Sequence, residues 1–271
     1  MDREPREKNR IRALEKGLEL LILLSRHDDE VSLEQLSREA GFSKPTCFRL
    51  LQTMRRLNFV AQSVATKGYR LGPRNISIGT AALDRQSVRS IAISYMRRLR
   101  EQTDETINLT ILDGNEIVFV ERIEAKFIVN SNLYVGSRLP VHCSSMGKAI
   151  LAYLPEYKLN AVLQGLDLKP RTAKTITSRE RLIEELARIR ATGISINNEE
   201  LEKGLCAVAG PIRDHSGEAI AALNVSFPLV RHDVVEDALA AFVPMVKAAC
   251  SEISGLLGFK AEATHHQGKS L

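Results

Sequence analysis

No stretch of the sequence approaches the ~20 consecutive apolar residues of a membrane span, so no membrane is expected among its partners. The first ten residues, MDREPREKNR, are charged and hold no apolar segment, which predicts no secretory signal. Cysteine is scarce. Cys47, Cys143, Cys206 and Cys250 stand far apart with no CxxC pair, a spacing that suits neither a disulfide framework nor a structural zinc site. It suits reduced thiols in a cytoplasm. Fixed-period repeats and low-complexity tracts are also missing. What is present is an ordinary soluble composition, 44% hydrophobic and 26% charged, in 271 residues that suit two domains.

The charge is unevenly placed. Residues 1–75 hold 15 Lys+Arg against 10 Asp+Glu, whereas residues 76–271 hold 23 of each. Residues 38–75 alone carry eight basic side chains and one acid, Glu39. Such concentration points to a polyanion partner, or at its plainest to a solvated basic face.

The N-terminal third supplies a reason to prefer the polyanion. Residues 12–25 predict an amphipathic helix with Leu14, Leu18, Leu21, Ile22 and Ser25 on one face. Ser32 and Gln35 form a capping-box pattern for a second helix that Gly41 ends. Ser43 caps a third, with Pro45 in its first turn and Cys47, Leu50, Leu51, Met54 and Leu57 as the buried stripe. Its outer face carries Arg49, Gln52, Thr53 and Arg56, flanked by Lys44 and Thr46. Two short helices joined by a tight turn, the second with a polar and basic outer face, make a helix-turn-helix. Arg49 and Gln52 are placed to reach base edges in the major groove; Ser32, Lys44 and Thr46 are placed for phosphates. The alternation of FVAQSVATKGYRLG predicts a hairpin whose tip, Thr66 and Lys67, acts as a wing. A small helical packing module is the bland alternative.

Gly72 and Pro73 then break the pattern. The predicted organisation is a winged helix-turn-helix domain at 10–72, a helical linker at 73–87, a second domain at 88–259 and a disordered tail at 260–271. In the second domain, strands are expected at 106–113, 116–123, 126–131, 205–213 and 218–227. Helices are expected at 88–103, at 178–192 behind a Thr177/Glu180 capping box, and at 233–257 with a kink at Pro244. Hairpins with helices before, between and after them mean an α+β domain on an antiparallel sheet.

VHCSSMGKA, residues 141–149, raises the question of catalysis. His142 and Cys143 are sequence neighbours whose side chains diverge in extended chain, and neither His215 nor His232 is marked as a remote base. A phosphate loop would need glycine at 142 and Ser or Thr at 149, where His142 and Ala149 stand. No metal-ligand spacing is present and no cofactor is expected. The stretch reads as a helix start capped by Ser144 or Ser145, whose backbone N–H groups can hold an anion; an ordinary capped helix is the plain alternative.

Together with the winged helix-turn-helix, the segments RLPVHCSSMGKAILAYLP, KPRTAKTIT, ATGISINNEELEKGL and GPIRDHSGEAIAALNVS resemble the IclR-type bacterial transcriptional regulators over about residues 12–258. The resemblance implies a GAF-like effector-binding domain, binding of palindromic operators in double-stranded DNA as homodimers or tetramers, and a small organic acid as effector. RLPVHCSSMG, NNEELEKGL and AALNVS look most like regulators of aromatic-acid breakdown. Carried over by residue, the amides that hold the effector carboxylate fall at Ser145 and Met146, beside Gly147 and Cys143. A family acid falls at Asn197, a cysteine at Ala207 and two serines at Asn224 and Ser226, of which Ser226 alone is retained. These losses argue against a glyoxylate- or pyruvate-type ligand. The competing classes are a cysteine-dependent hydrolase or amidase with an appended helical module, and a DNA-binding protein without a ligand.

Overall fold

The computed structural model describes residues 10–84, 87–126, 133–232 and 234–260. The chain forms two compact units that divide between residues 85 and 86.

The first unit contains α1 (Arg12–Leu24), α2 (Leu33–Ala40), α3 (Lys44–Arg56), the hairpin β1 (Val60–Gln62) and β2 (Tyr69–Leu71), and α4 (Arg74–Asp84). Helix α2 starts where the Ser32 hydroxyl accepts the Gln35 N–H at 3.1 Å and stops at Gly41, whose φ of 67° suits a residue without Cβ. The capping box is half made, because the Gln35 side chain donates to Glu39 instead of turning back. Leu20, Leu24, Leu36, Cys47, Leu51, Met54, Val60 and Tyr69 close one core.

The stripe expected on α1 is corrected. Leu14, Leu18 and Ile22 are 58%, 51% and 55% exposed, and the helix buries Gly17, Leu20 and Leu24. The segment LELLILL places leucines around most of the circumference, so periodicity cannot select the face that packs. Leu57 is likewise exposed at the end of α3. The expected linker is α4, followed by a second helix that begins at Ser87.

The second unit is an α+β domain. It contains α5 (Ser87–Thr103), β3 (Thr106–Asp113), β4 (Glu116–Ile123), β5 (Arg138–Pro140), α6 (Ser145–Leu151), α7 (Glu156–Gln164) and α8 (Arg179–Thr192). β6 (Ser195–Asn198), β7 (Leu205–Arg213), β8 (Ala219–Pro228) and α9 (Val235–Leu256) follow. The six strands form an antiparallel sheet in the order β5-β4-β3-β8-β7-β6. Strand alternation separates its faces: Thr110 meets Met146 of α6, whereas Gly210, on the other face, lies against Cys250 of α9. Residues 127–131 of the expected strand 126–131 lie outside the described residues. β5, β6 and α7 have no counterpart in the sequence reading. The cap of α8 is also corrected: Ser178, not Thr177, accepts the Arg181 N–H, at 3.3 Å.

Helix α9 runs through Pro244 and is long and apolar enough, by composition, to cross a membrane. Here it is a core helix. Ala238, Phe242, Val246, Ala249, Cys250 and Ile253 are buried, and it packs on β7 and β8.

Candidate DNA-reading face and ligand cavity

Helix α3 turns Cys47, Leu51 and Met54 inward and so presents Arg49 and Arg56 to solvent, with half-buried Gln52 between them. Neither arginine has a side-chain partner among the described residues. Four neighbours are engaged locally. The Ser43 and Thr46 hydroxyls share a hydrogen bond of 2.8 Å, Lys44 pairs with Glu34 at 2.8 Å, and the Thr53 hydroxyl donates to the Arg49 carbonyl. Ser32 caps α2. Lys67 stands exposed at the wing tip, held with φ 60°. Arg55, which the sequence did not single out, donates to Gln62 Oε1 at 2.6 Å, and Gln62 Nε2 donates to the Lys67 carbonyl at 3.0 Å. This chain of bonds fastens the wing to the helix.

In the second unit a cavity of about 130 Å³ lies between the start of α6 and the sheet. Ser144, Ser145 and Met146 line one side, and Asn197, Asn224 and Ser226 line the strand side. Phe119, Leu133, Leu139, Leu205 and Ala207 supply apolar wall, with Asn108 and Arg122 beside Asn224. Asn108 is the register partner of both Arg122 on β4 and Asn224 on β8, so these three form one row across the sheet.

Two residues assigned to the ligand by sequence are placed elsewhere. Gly147 and Cys143 do not belong to the lining. A Cβ on Gly147 would come within 2.4 Å of the Val141 carbonyl oxygen, so this glycine permits a close approach of backbone to backbone. Ser144 is the cap that sequence left open between two serines; its hydroxyl accepts the Gly147 N–H at 3.0 Å. Asn197 donates to the Cys143 carbonyl at 2.6 Å and accepts the Glu200 N–H at 3.0 Å, so its amide holds the loop in place. Cys206, one residue out of phase with Ala207, is fully buried and outside the lining.

Behind the loop, Lys148 is fully buried. Its ammonium donates to Glu200 at 2.5 Å, to Glu185 at 3.2 Å and to the Ile196 carbonyl at 3.1 Å. Burial pushes the Glu200 carboxyl above its ordinary value against the pull of Lys148, and Glu200 Oε2 has no partner among the described residues. The lysine that looked like half of a phosphate loop is an internal tie between α6, α8 and the segment after β6.

The catalytic reading of His142 and Cys143 finds no geometry. Burial raises the Cys143 thiol to about 11, and its sulfur lies 4.0 Å from the Pro140 carbonyl with no histidine among its partners. His142 Nε2 meets the Lys169 carbonyl at 3.1 Å, and burial lowers the imidazole pKa. His232 is bound to Glu105 at 3.0 Å. Among the described residues no cluster of three or more His, Cys, Asp or Glu could hold a metal ion.

Residues 13–63 match the IclR helix-turn-helix domain, and residues 80–255 match the C-terminal domain of the bacterial transcriptional regulator IclR. The chain belongs to the IclR family. XynR of Escherichia coli, an HTH-type transcriptional regulator, is 34% identical over 251 residues, covering 93% of this chain and 99% of XynR. The regulator KdgR of the same organism is 34% identical over 230 residues, or 85% and 87% of the two chains. An IclR homologue of Microbacterium hydrocarbonoxydans, solved in complex with 4-hydroxybenzoate, superposes with a TM-score of 0.77 at 26% identity, over 90% of this chain and 98% of that one. IclR proteins are DNA-binding transcriptional regulators with a ligand-binding C-terminal domain, not enzymes, which removes the hydrolase reading of Cys143.

Proposed function

We propose that this IclR regulator acts in the cytoplasm, binds a palindromic operator as a homodimer or tetramer, and changes its hold on DNA when an organic acid enters the cavity. Arg49 and Gln52 read bases, Arg56 lies beside them, and Ser32, Ser43, Lys44, Thr46, Thr53 and Lys67 contact or order the phosphate side. The exposure of Arg49 and Arg56 without partners among the described residues supports this, because such a guanidinium is ready to meet guanine or phosphate.

The ligand carboxylate sits on the Ser145 and Met146 N–H groups, which as the first helical residues have no intrahelical acceptor. The finer reading is an aromatic carboxylate such as a hydroxybenzoate. The observation that carries it is the lining of the cavity, where apolar Phe119, Leu133 and Leu139 stand with polar Ser145, Asn224 and Ser226. The 4-hydroxybenzoate complex of the Microbacterium homologue agrees in ligand class.

Gel shifts with the promoter DNA beside its own gene, with and without 4-hydroxybenzoate, test the reading. Arg49→Ala is expected to lose operator binding with its fold intact by circular dichroism. Unchanged affinity removes Arg49 from recognition, and calorimetry null across a panel of aromatic acids removes that ligand class.

A further inference from the structure

We infer that the ligand is a bifunctional acid, carrying an acceptor oxygen at the end remote from its carboxylate, and that the row Arg122–Asn108–Asn224 selects for that oxygen. This rests on the reading of the cavity as the effector site.

The direction of two hydrogen bonds fixes what the wall offers. A guanidinium can only donate. Arg122 Nη1 donates to Asn108 Oδ1 at 2.8 Å, and this bond decides which way the Asn108 amide faces. Its Nδ2 is then the atom turned to β8, where it donates to Asn224 Oδ1, also at 2.8 Å. With that oxygen occupied, Asn224 has only its amide N–H groups left to offer. Asn224 lines the cavity, is 4% exposed, and its Nδ2 has no acceptor among the described residues. An isolated asparagine amide could turn to suit either a donor or an acceptor. This one cannot turn alone without opposing two amide N–H groups, nor together with Asn108 without taking from Arg122 Nη1 the Asn108 oxygen it donates to. The wall is therefore fixed as a donor.

Arg122 also lines the cavity, its side chain 10% exposed and paired with Glu124 at 3.3 Å. Two acids share the lining: Glu105, held by Arg231 at 3.2 Å and His232 at 3.0 Å, and Glu202. A ligand ending in C–H leaves the buried Asn224 donor unpaired. One ending in a carboxylate, carbonyl or phenolic oxygen satisfies it.

Calorimetry on the full chain with matched acids tests this: benzoate against 4-hydroxybenzoate, and pentanoate against pentanedioate. The oxygen-bearing member of at least one pair is expected to bind about tenfold tighter or better. Asn108→Asp is the decisive variant. An aspartate still accepts from Arg122 but cannot donate to Asn224, whose amide then turns and presents its oxygen to the cavity. The preference is expected to disappear, and 4-aminobenzoate, a donor at the same position, to gain over 4-hydroxybenzoate. Asn224→Leu, which removes the donor outright, is expected to abolish the preference while benzoate still binds. Equal affinities within both pairs in the wild type overturn the inference and leave the effector site standing, as does a preference that survives both variants. No binding by any of these acids overturns both readings.

Discussion

Lys148→Met tests whether a buried charge network holds the cavity's floor. The substitution keeps most of the side-chain volume and removes the ammonium that Glu200, Glu185 and the Ile196 carbonyl share. The loss falls unequally. Glu185 keeps Arg188 at 2.7 and 2.8 Å, whereas Glu200, whose second oxygen already lacks a partner, is left as an uncompensated buried acid. Removing one partner of a buried pair costs about 3–5 kcal/mol. For a domain of this size each kcal/mol moves the melting temperature by roughly 2–4 °C, so a fall of roughly 6–20 °C is expected at neutral pH. The pH dependence has a definite sign. Burial already raises the Glu200 pKa above 4.5 and Lys148 opposes it, so the variant raises it further. A raised carboxyl pKa means stability present in acid and lost as pH climbs through the folded value. The deficit is therefore smallest near pH 4.5 and grows toward neutrality. Calorimetric melts of wild type and variant at both ends of that window measure it, and Glu200→Gln added to Lys148→Met should recover much of the loss. A variant that melts within about 2 °C of wild type at neutral pH, or one whose deficit ignores pH, refutes the reasoning.

Gly147→Ala drives a methyl group to within 2.4 Å of the Val141 carbonyl oxygen, so the loop before α6 must move. Loss of acid binding and about 1–3 kcal/mol of stability are expected, and a variant that melts and titrates like wild type contradicts the close approach. The four thiols are all buried, with Cys143 and Cys206 raised to about 11 and Cys250 to about 12. At pH 8, from the thiolate fraction alone, Cys143 and Cys206 should react with a disulfide reagent roughly two orders of magnitude more slowly in the native protein than after unfolding, and Cys250 roughly three. A fast native thiol at Cys143 reopens the question of its reactivity. Arg55→Ala unfastens the wing from α3 and should weaken operator binding about tenfold with little change in melting temperature; full affinity shows that the wing does not depend on that bond.

The DNA-reading unit was legible because its information is local. Ser32 and Gly41 bound α2 within ten residues, and the stripe of Cys47, Leu51 and Met54 leaves one side of α3 for Arg49 and Arg56. Where local signals were degenerate they misled. Leucines on most sides of α1 left the packing face undetermined, and adjacent Thr177 and Ser178 are both competent caps. Strand β6 is only four residues of mixed polarity, too short to show alternation.

The cavity was legible only in part, because its parts come from distant segments. Alternation in TINLTILD puts Asn108 and Thr110 on one face, yet nothing within that segment says which face is covered or by what. Arg122 reaches Asn108 through a hairpin register that shifts at Leu109/Thr110, and Asn224 reaches it from 116 residues away. A one-residue slip in either pairing would turn its partner to the other side of the sheet and leave Asn108 without its donor or its acceptor. Lys148 was misleading for a related reason. In sequence it ends a Gly-Lys pair suggestive of phosphate binding, and only the approach of Glu185 and Glu200 makes its burial tolerable. Polar side chains in this domain carry meaning through their partners, and it is strand register, not residue type, that assigns those partners.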